Sequence, residues 1–161
     1  MEQRISLITL GVRDLARSRS FYEALGWRGQ EVQETVFFQA GGQGLVLWDR
    51  AKLAADCGVE SAEAPDTSGL GGFGGSGGFG GFGGIALAHN VRSAAEVDEL
   101  LATARRAAAR ITKPGRLSEL GFYTGVFLDP DGHAWEIAHN PGFPLSDDGS
   151  LTIPDLTQDE G

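Results

Sequence analysis

The feature that most constrains this chain is an internal repetition. Thr9 to Gly26 reads TLGVRDLARSRSFYEALG, and Ala88 to Arg105 reads AHNVRSAAEVDELLATAR. Aligning Val12 with Val91 also matches Arg13 with Arg92. In each copy a β-type run leads through a short polar turn into a stretch with apolar residues at helical spacing. The first helix is expected over Leu15 to Leu25, capped by Asp14 and stopped by Gly26. The second starts at Ser93, where Glu96 three residues on makes a capping-box pattern. Val97, Leu100, Leu101 and Ala104 form its buried stripe, and it is expected to end near Arg110.

Strand signals follow each helix. Glu34 to Ala40 and Gly44 to Asp49 flank a Gly-Gly-Gln turn, and Phe122 to Leu128 and His133 to Ala138 flank Asp129-Pro130-Asp131-Gly132. The latter tetrapeptide suits a type I turn. Short strands near Trp27 to Gln30 and Ile111 to Lys113 complete the order βαβββ twice. The prediction is an α+β fold of two βαβββ modules whose curved mixed sheets enclose a cavity. Residues 1–59 form the first module and 85–145 the second, with a polar tail over 146–161. Between the modules, 60–84 reads as a linker, because Gly69 to Gly84 holds 11 of the chain's 25 glycines and ordering glycine is entropically costly. That stretch has no Lys-Ser or Lys-Thr of a phosphate-binding loop. Its Phe73, Phe79 and Phe82 could serve as anchors.

Composition narrows the function classes. At 161 residues the chain suits one domain, or two half-domains sharing a core. Thirteen Lys and Arg against 22 Asp and Glu give a net charge of −9, which disfavours nucleic acid and is compatible with a cationic small ligand. No apolar run approaches the roughly 18 residues that would span a membrane. The start does not read as a signal peptide, so a cytoplasmic location is expected. One cysteine, Cys57, rules out an internal disulfide.

The opening VRDLARSRSFYEALGW and the closing DPDGHAWEIAHNPGFPL resemble the vicinal oxygen chelate superfamily, which includes glyoxalase I, extradiol dioxygenases and bleomycin resistance proteins. The resemblance implies a ligand cavity where the concave faces of the two sheets meet. In metal-dependent members four ligands line it, and the corresponding positions here are Leu7, Leu47, Ala86 and Glu136. Only Glu136 has a donor atom, so neither metal nor cofactor is expected. Strand alternation puts His89 toward the helices and His139 opposite Glu136, with His133 at the mouth of the turn, so the histidines read as structural. The same alternation adds Thr9, Phe37 and Gln39 to the Leu7 and Leu47 wall, and Tyr123 and Phe127 to the Glu136 wall.

Two function classes remain open. One is a metal-free protein that binds a small organic ligand, as bleomycin resistance proteins do. The other is a lyase, isomerase or dioxygenase on the same scaffold, using unorthodox metal ligands or Glu136 as general base. The modules could pair within one chain or between the chains of a homodimer.

Overall fold

The computed structural model describes residues 1–59, 84–119 and 121–154. The Gly- and Phe-rich bridge and the end of the tail, with the expectations placed on them, lie outside the described residues. The first module runs β1 (Leu7–Val12), α1 (Leu15–Ala24), β2 (Gly29–Val32), β3 (Thr35–Ala40) and β4 (Gln43–Asp49). A short helix α2 (Arg50–Asp56) follows. The second module runs β5 (Ala86–Asn90), α3 (Ala94–Arg106), β6 (Arg110–Leu117), β7 (Tyr123–Leu128) and β8 (Ala134–His139). The strand orders are β1-β4-β3-β2 and β5-β8-β7-β6, so the sheets share one topology. In each, the first strand runs parallel to the last and the remaining pairs are antiparallel. Among the described residues no helix is long and apolar enough to cross a membrane.

Local chemistry explains the helix ends. The Asp14 carboxylate accepts the Arg17 N–H at 2.9 Å and opens α1. At its other end Gly26 adopts φ +94°, its N–H bonds the Glu23 carbonyl, and the Trp27 N–H bonds the Tyr22 carbonyl. This 6→1 and 5→2 pair is a Schellman stop, and it seats the Trp27 ring 5.9 Å from that of Tyr22. Helix α3 stops the same way at Arg106, a turn earlier than expected, with Ala108 taking the left-handed position at φ +72°. Helix α2, which carried no expectation, is capped by Asp49 accepting from the Lys52 N–H. The capping box of α3 is offset. Ser93 Oγ accepts the Glu96 N–H, but the Glu96 carboxylate accepts from the Arg92 N–H at 3.0 Å rather than from that of Ser93.

One face of each sheet is buried against helices. Leu10, Val12, Val36, Phe38, Leu45 and Leu47 in the first sheet join Phe21 and Tyr22 of α1 in the core. Phe127, Trp135 and Ile137 in the second sheet join Val97, Leu101 and Ala104 of α3. Helix α1 also touches the second sheet: Phe21 packs edge-on against Phe127, and the Tyr22 ring lies 6.1 Å from Trp135. The modules are therefore joined through their helix faces.

The turn before β8 locks that junction. Asp129 and Asp131 are both buried. Asp131 accepts from the Arg13 N–H and the Arg17 guanidinium, each at 2.9 Å, and from the Ser18 hydroxyl. Asp129 accepts the Tyr22 hydroxyl at 2.7 Å, and the Trp135 indole N–H donates to the same hydroxyl oxygen at 3.2 Å. Burying two carboxylates is tolerable only because each is met by donors. The sheets do not close on each other: Leu7, Thr9, Phe37, Gln39, Ala86 and Ala88, on the faces away from the helices, are all exposed.

Candidate functional site

The faces away from the helices are the candidate ligand surfaces, and the register decides which residues they carry. In the first sheet Leu7 pairs with Gly44, Thr9 with Val46, Phe37 with Val46 and Gln39 with Gly44. Paired residues share a face, so Leu7, Thr9, Phe37 and Gln39 do stand together. Leu47 does not join them. It pairs with Leu10 and Val36 and is fully buried under α1. The expected three-residue Gly-Gly-Gln turn is a two-residue turn, with Ala40 opposite Gln43. That one-residue difference turns every side chain over, and Val46 takes the place assigned to Leu47.

The second sheet carries the matching correction with the opposite sign. Ala86 and Ala88 pair with Ala134 and Glu136, and Glu136 pairs with Val126. Phe127 pairs instead with Trp135, and Tyr123 with His139, on the helix side. Phe127 is buried in the core, and the Tyr123 hydroxyl donates to Asp98 of α3. Here the turn is one residue longer than Asp-Pro-Asp-Gly, because His133 belongs to it: the Asp129 N–H bonds the His133 carbonyl, and Leu128 pairs with Ala134.

What the structure brings around Glu136 is a shallow floor of small residues with charge at both ends. Val126 lies between Glu136 and Lys113 in one cross-strand row, and Ala88 lies on the other side of Glu136. Lys113 reaches this face through a β-bulge. Ile111 pairs with Phe127 and Lys113 with Val126, so Thr112 is the extra residue that reverses the parity of β6. The Lys113 ammonium donates to Thr124 Oγ1 at 2.8 Å, which steers it along the floor. Arg116, opposite Thr124, adds a second cation at the same edge. Glu136 is half-buried and has no hydrogen-bond or ion-pair partner among the described residues. An acceptor lies on one side of Val126 and donors on the other. Such a face can hold a polar molecule that presents a donor or cation to Glu136 and an acceptor to Lys113. Neither Lys113 nor Arg116 was picked out from the sequence, because no residue pattern marks the bulge that turns them.

The donor set does not suit a metal. Module equivalence makes the four family ligand positions Leu7, Val46, Ala86 and Glu136, since Thr9 pairs with Val46 as Ala88 pairs with Glu136. Three of the four have no donor atom, and a divalent ion needs several. Among the described residues no three His, Cys, Asp or Glu side chains converge on one point. The histidines are turned elsewhere. His133 donates from Nε2 to the Gly11 carbonyl at 3.1 Å, tying the turn to β1. His139 donates from Nδ1 to the Val91 carbonyl at 3.2 Å, and His89 faces α3 beside Leu100.

Comparison with known proteins agrees with this geometry. The model of the glyoxalase/bleomycin resistance protein/dioxygenase superfamily matches residues 4–137. A glyoxalase-related enzyme from Fulvimarina pelagi is 36% identical, with a TM-score of 0.78 over 94% of this chain and 98% of that one. A glyoxalase/bleomycin resistance protein/dioxygenase family enzyme from Burkholderia phytofirmans PsJN shares the fold at 18% identity and a TM-score of 0.62, covering 83% of this chain and 96% of its own. A lactoylglutathione lyase from Agrobacterium tumefaciens does so at 21% identity and a TM-score of 0.58, covering 86% and 95%. No curated protein matches. The repeated βαβββ module, the open faces opposite the helices and the match over residues 4–137 place this chain in the glyoxalase/bleomycin resistance protein/dioxygenase superfamily.

Proposed function

We propose that this chain is a small-molecule-binding protein of the glyoxalase/bleomycin-resistance type that works without a bound metal. The observation that carries the reading is the donor set: of the four family ligand positions only Glu136 can coordinate. The ligand lies on the second sheet, with a cationic or N–H group at Glu136 and an acceptor at Lys113. The chain's net charge of −9 favours a cation in the same direction. The first sheet supplies the cover. Leu7 is 57% and Phe37 39% exposed on a face that lacks ionisable groups among the positions assigned to it. A second copy placing this apolar face over Glu136 would complete the site, so the working form is a cytoplasmic homodimer.

An enzyme is the second reading. It is favoured by the Glu136 carboxylate, which has no partner among the described residues and can serve as a base, and by the description of the Fulvimarina pelagi relative as an enzyme. The deciding experiment combines metal analysis of purified protein with thermal-shift screening of small organic amines. The binder reading expects well under one equivalent of Zn, Ni, Fe or Mn and no rise in Tm with added divalent ions. It also expects a stabilising amine that is recovered unchanged and loses affinity roughly tenfold to a hundredfold on Glu136→Gln. A stoichiometric metal that is lost on Glu136→Gln would refute it, and turnover of the amine would select the enzyme.

A further inference from the structure

The helix side of the second sheet holds a cavity that the two modules leave between them. Its volume is about 100 Å³. Tyr22, Phe127 and Trp135 form its deep end and are all buried, Trp27 and Leu100 stand half-buried at its mouth, and His89 is exposed at the rim. Trp135 alternates with Glu136 along β8, so this cavity opens on the opposite face from the proposed ligand surface and does not depend on it.

We propose that this cavity is a second binding site, which takes a small neutral single-ring aromatic molecule carrying a hydroxyl or a similar donor, with its ring among Trp27, Phe127 and Trp135 and its donor on His89. Size sets the first limit: dry cavities of roughly 150 Å³ hold benzene, and this one is of that order. Charge sets the second. No Asp, Glu, Lys or Arg lines the cavity, so an ionic ligand would lose its hydration without a counter-charge. The inner polar atoms are already satisfied. Tyr22 donates to Asp129 and accepts from Trp135, which leaves the deep end with ring faces and edges only. Trp27 stands edge-on to Trp135 at 5.9 Å, and Phe127 stacks on Trp135 at an interplanar angle of 12°. Another ring can extend this arrangement edge to face. The polar partner for a ligand's donor stands at the rim. That partner is His89, whose ring makes no hydrogen bond among the described residues.

Phenol is the probe. In protein labelled with ¹⁵N at tryptophan, the indole resonances of Trp27 and Trp135 are expected to move saturably on titration with phenol. That of Trp48, which pairs with Gly11 and Thr35 on the other sheet, is expected to stay in place. Leu100→Trp should fill the mouth and abolish the response. His89→Phe, which keeps the bulk and removes the acceptor, should weaken it about three- to tenfold, the worth of one neutral hydrogen bond. The proposal is overturned if no resonance saturates, if Trp48 moves with the same midpoint, or if His89→Phe binds phenol as well as the parent chain does.

Discussion

Removing the Tyr22 hydroxyl tests whether the buried junction between the modules is a satisfied polar network or only a packed one. Tyr22→Phe keeps the ring, so the contacts with Phe21, Trp27, Phe38 and Trp135 survive and almost no cavity forms. Two groups lose their partner. Asp129 Oδ2 loses a 2.7 Å donor while Asp129 is 3% exposed, and the Trp135 indole N–H loses its acceptor while Trp135 is 7% exposed. Burial and then the Asp129 charge push the tyrosine pKa up, so the hydroxyl stays a neutral donor throughout the working pH range. A hydrogen bond to a charged group is worth about 1.5–3 kcal/mol and a stranded buried N–H costs about 1–3 kcal/mol. Allowing for local relaxation, the expected loss is about 3 kcal/mol. Tyr123→Phe deletes the same atom from a similar bond, Tyr123 to Asp98 at 3.0 Å, but in an exposed setting. Water replaces the partner there, and the loss should stay below about 0.5 kcal/mol. Urea unfolding followed by tryptophan fluorescence and by far-ultraviolet circular dichroism gives both values, with m unchanged. Equal losses in the two variants, or a Tyr22→Phe loss under about 1 kcal/mol, would refute the network.

Three further outcomes are expected. Ala108→Gly should raise the urea midpoint by the equivalent of about 0.5–1 kcal/mol, because Ala108 holds φ +72° at an exposed helix stop that glycine enters without strain. Ser93→Ala should cost about 1 kcal/mol, and a double-mutant cycle with Glu96→Ala should show coupling of at least about 0.5 kcal/mol, since their hydrogen bonds enclose one helix start. Full additivity would count against a shared cap. Partial desolvation of its ring at the cavity rim lowers the His89 pKa below its ordinary 6.5, although much of the residue meets solvent, while Glu96 partly opposes the shift. As pH falls the unfolded chain therefore takes the proton first. The stability tied to neutral His89 is present above pH 6.5 and is lost as pH falls through the lower folded value. His89→Phe should flatten the fall in Tm over that window, and an unchanged pH profile would contradict it.

Much of the fold was legible because its signals are local and each has a single physical reading. Asp14, Gly26 and Ser93 mark helix ends by their hydrogen-bonding and backbone preferences, and each does what those preferences require. The repeat at Val12 and Val91 carried the topology, since both modules place a strand, a helix and three further strands in one order. Ala108 shows where this reading stops. A Schellman stop formed on alanine leaves no compositional mark, so α3 was expected to run on to Arg110.

The candidate site was legible to within one residue, and that margin is decisive for a β-sheet. Glu136 stands on the face away from the helices, as the closing motif implies, whereas Leu47, taken from the equivalent strand of the first module, stands on the helix side. Tyr123 and Phe127 follow from Glu136 only across a hairpin, as Phe37 and Gln39 do from Leu47, and there the shared face depends on the number of residues in the turn. Gly41-Gly42 closes one hairpin with a residue fewer than the composition suggests. His133 lengthens the other, because the Asp129 N–H donates to the His133 carbonyl and Asp131 is left to accept from Arg17 and Ser18 of α1. The extra residue is held within the turn by the Asp129 carboxylate, which accepts the Asp131 and His133 N–H groups, and across the modules by the contacts of Asp131. Lys113 fails to show for a related reason, since the bulge at Thr112 alone decides whether an alternating strand presents it to the ligand face. Turn length and bulges set parity, and parity sets the chemistry of the face.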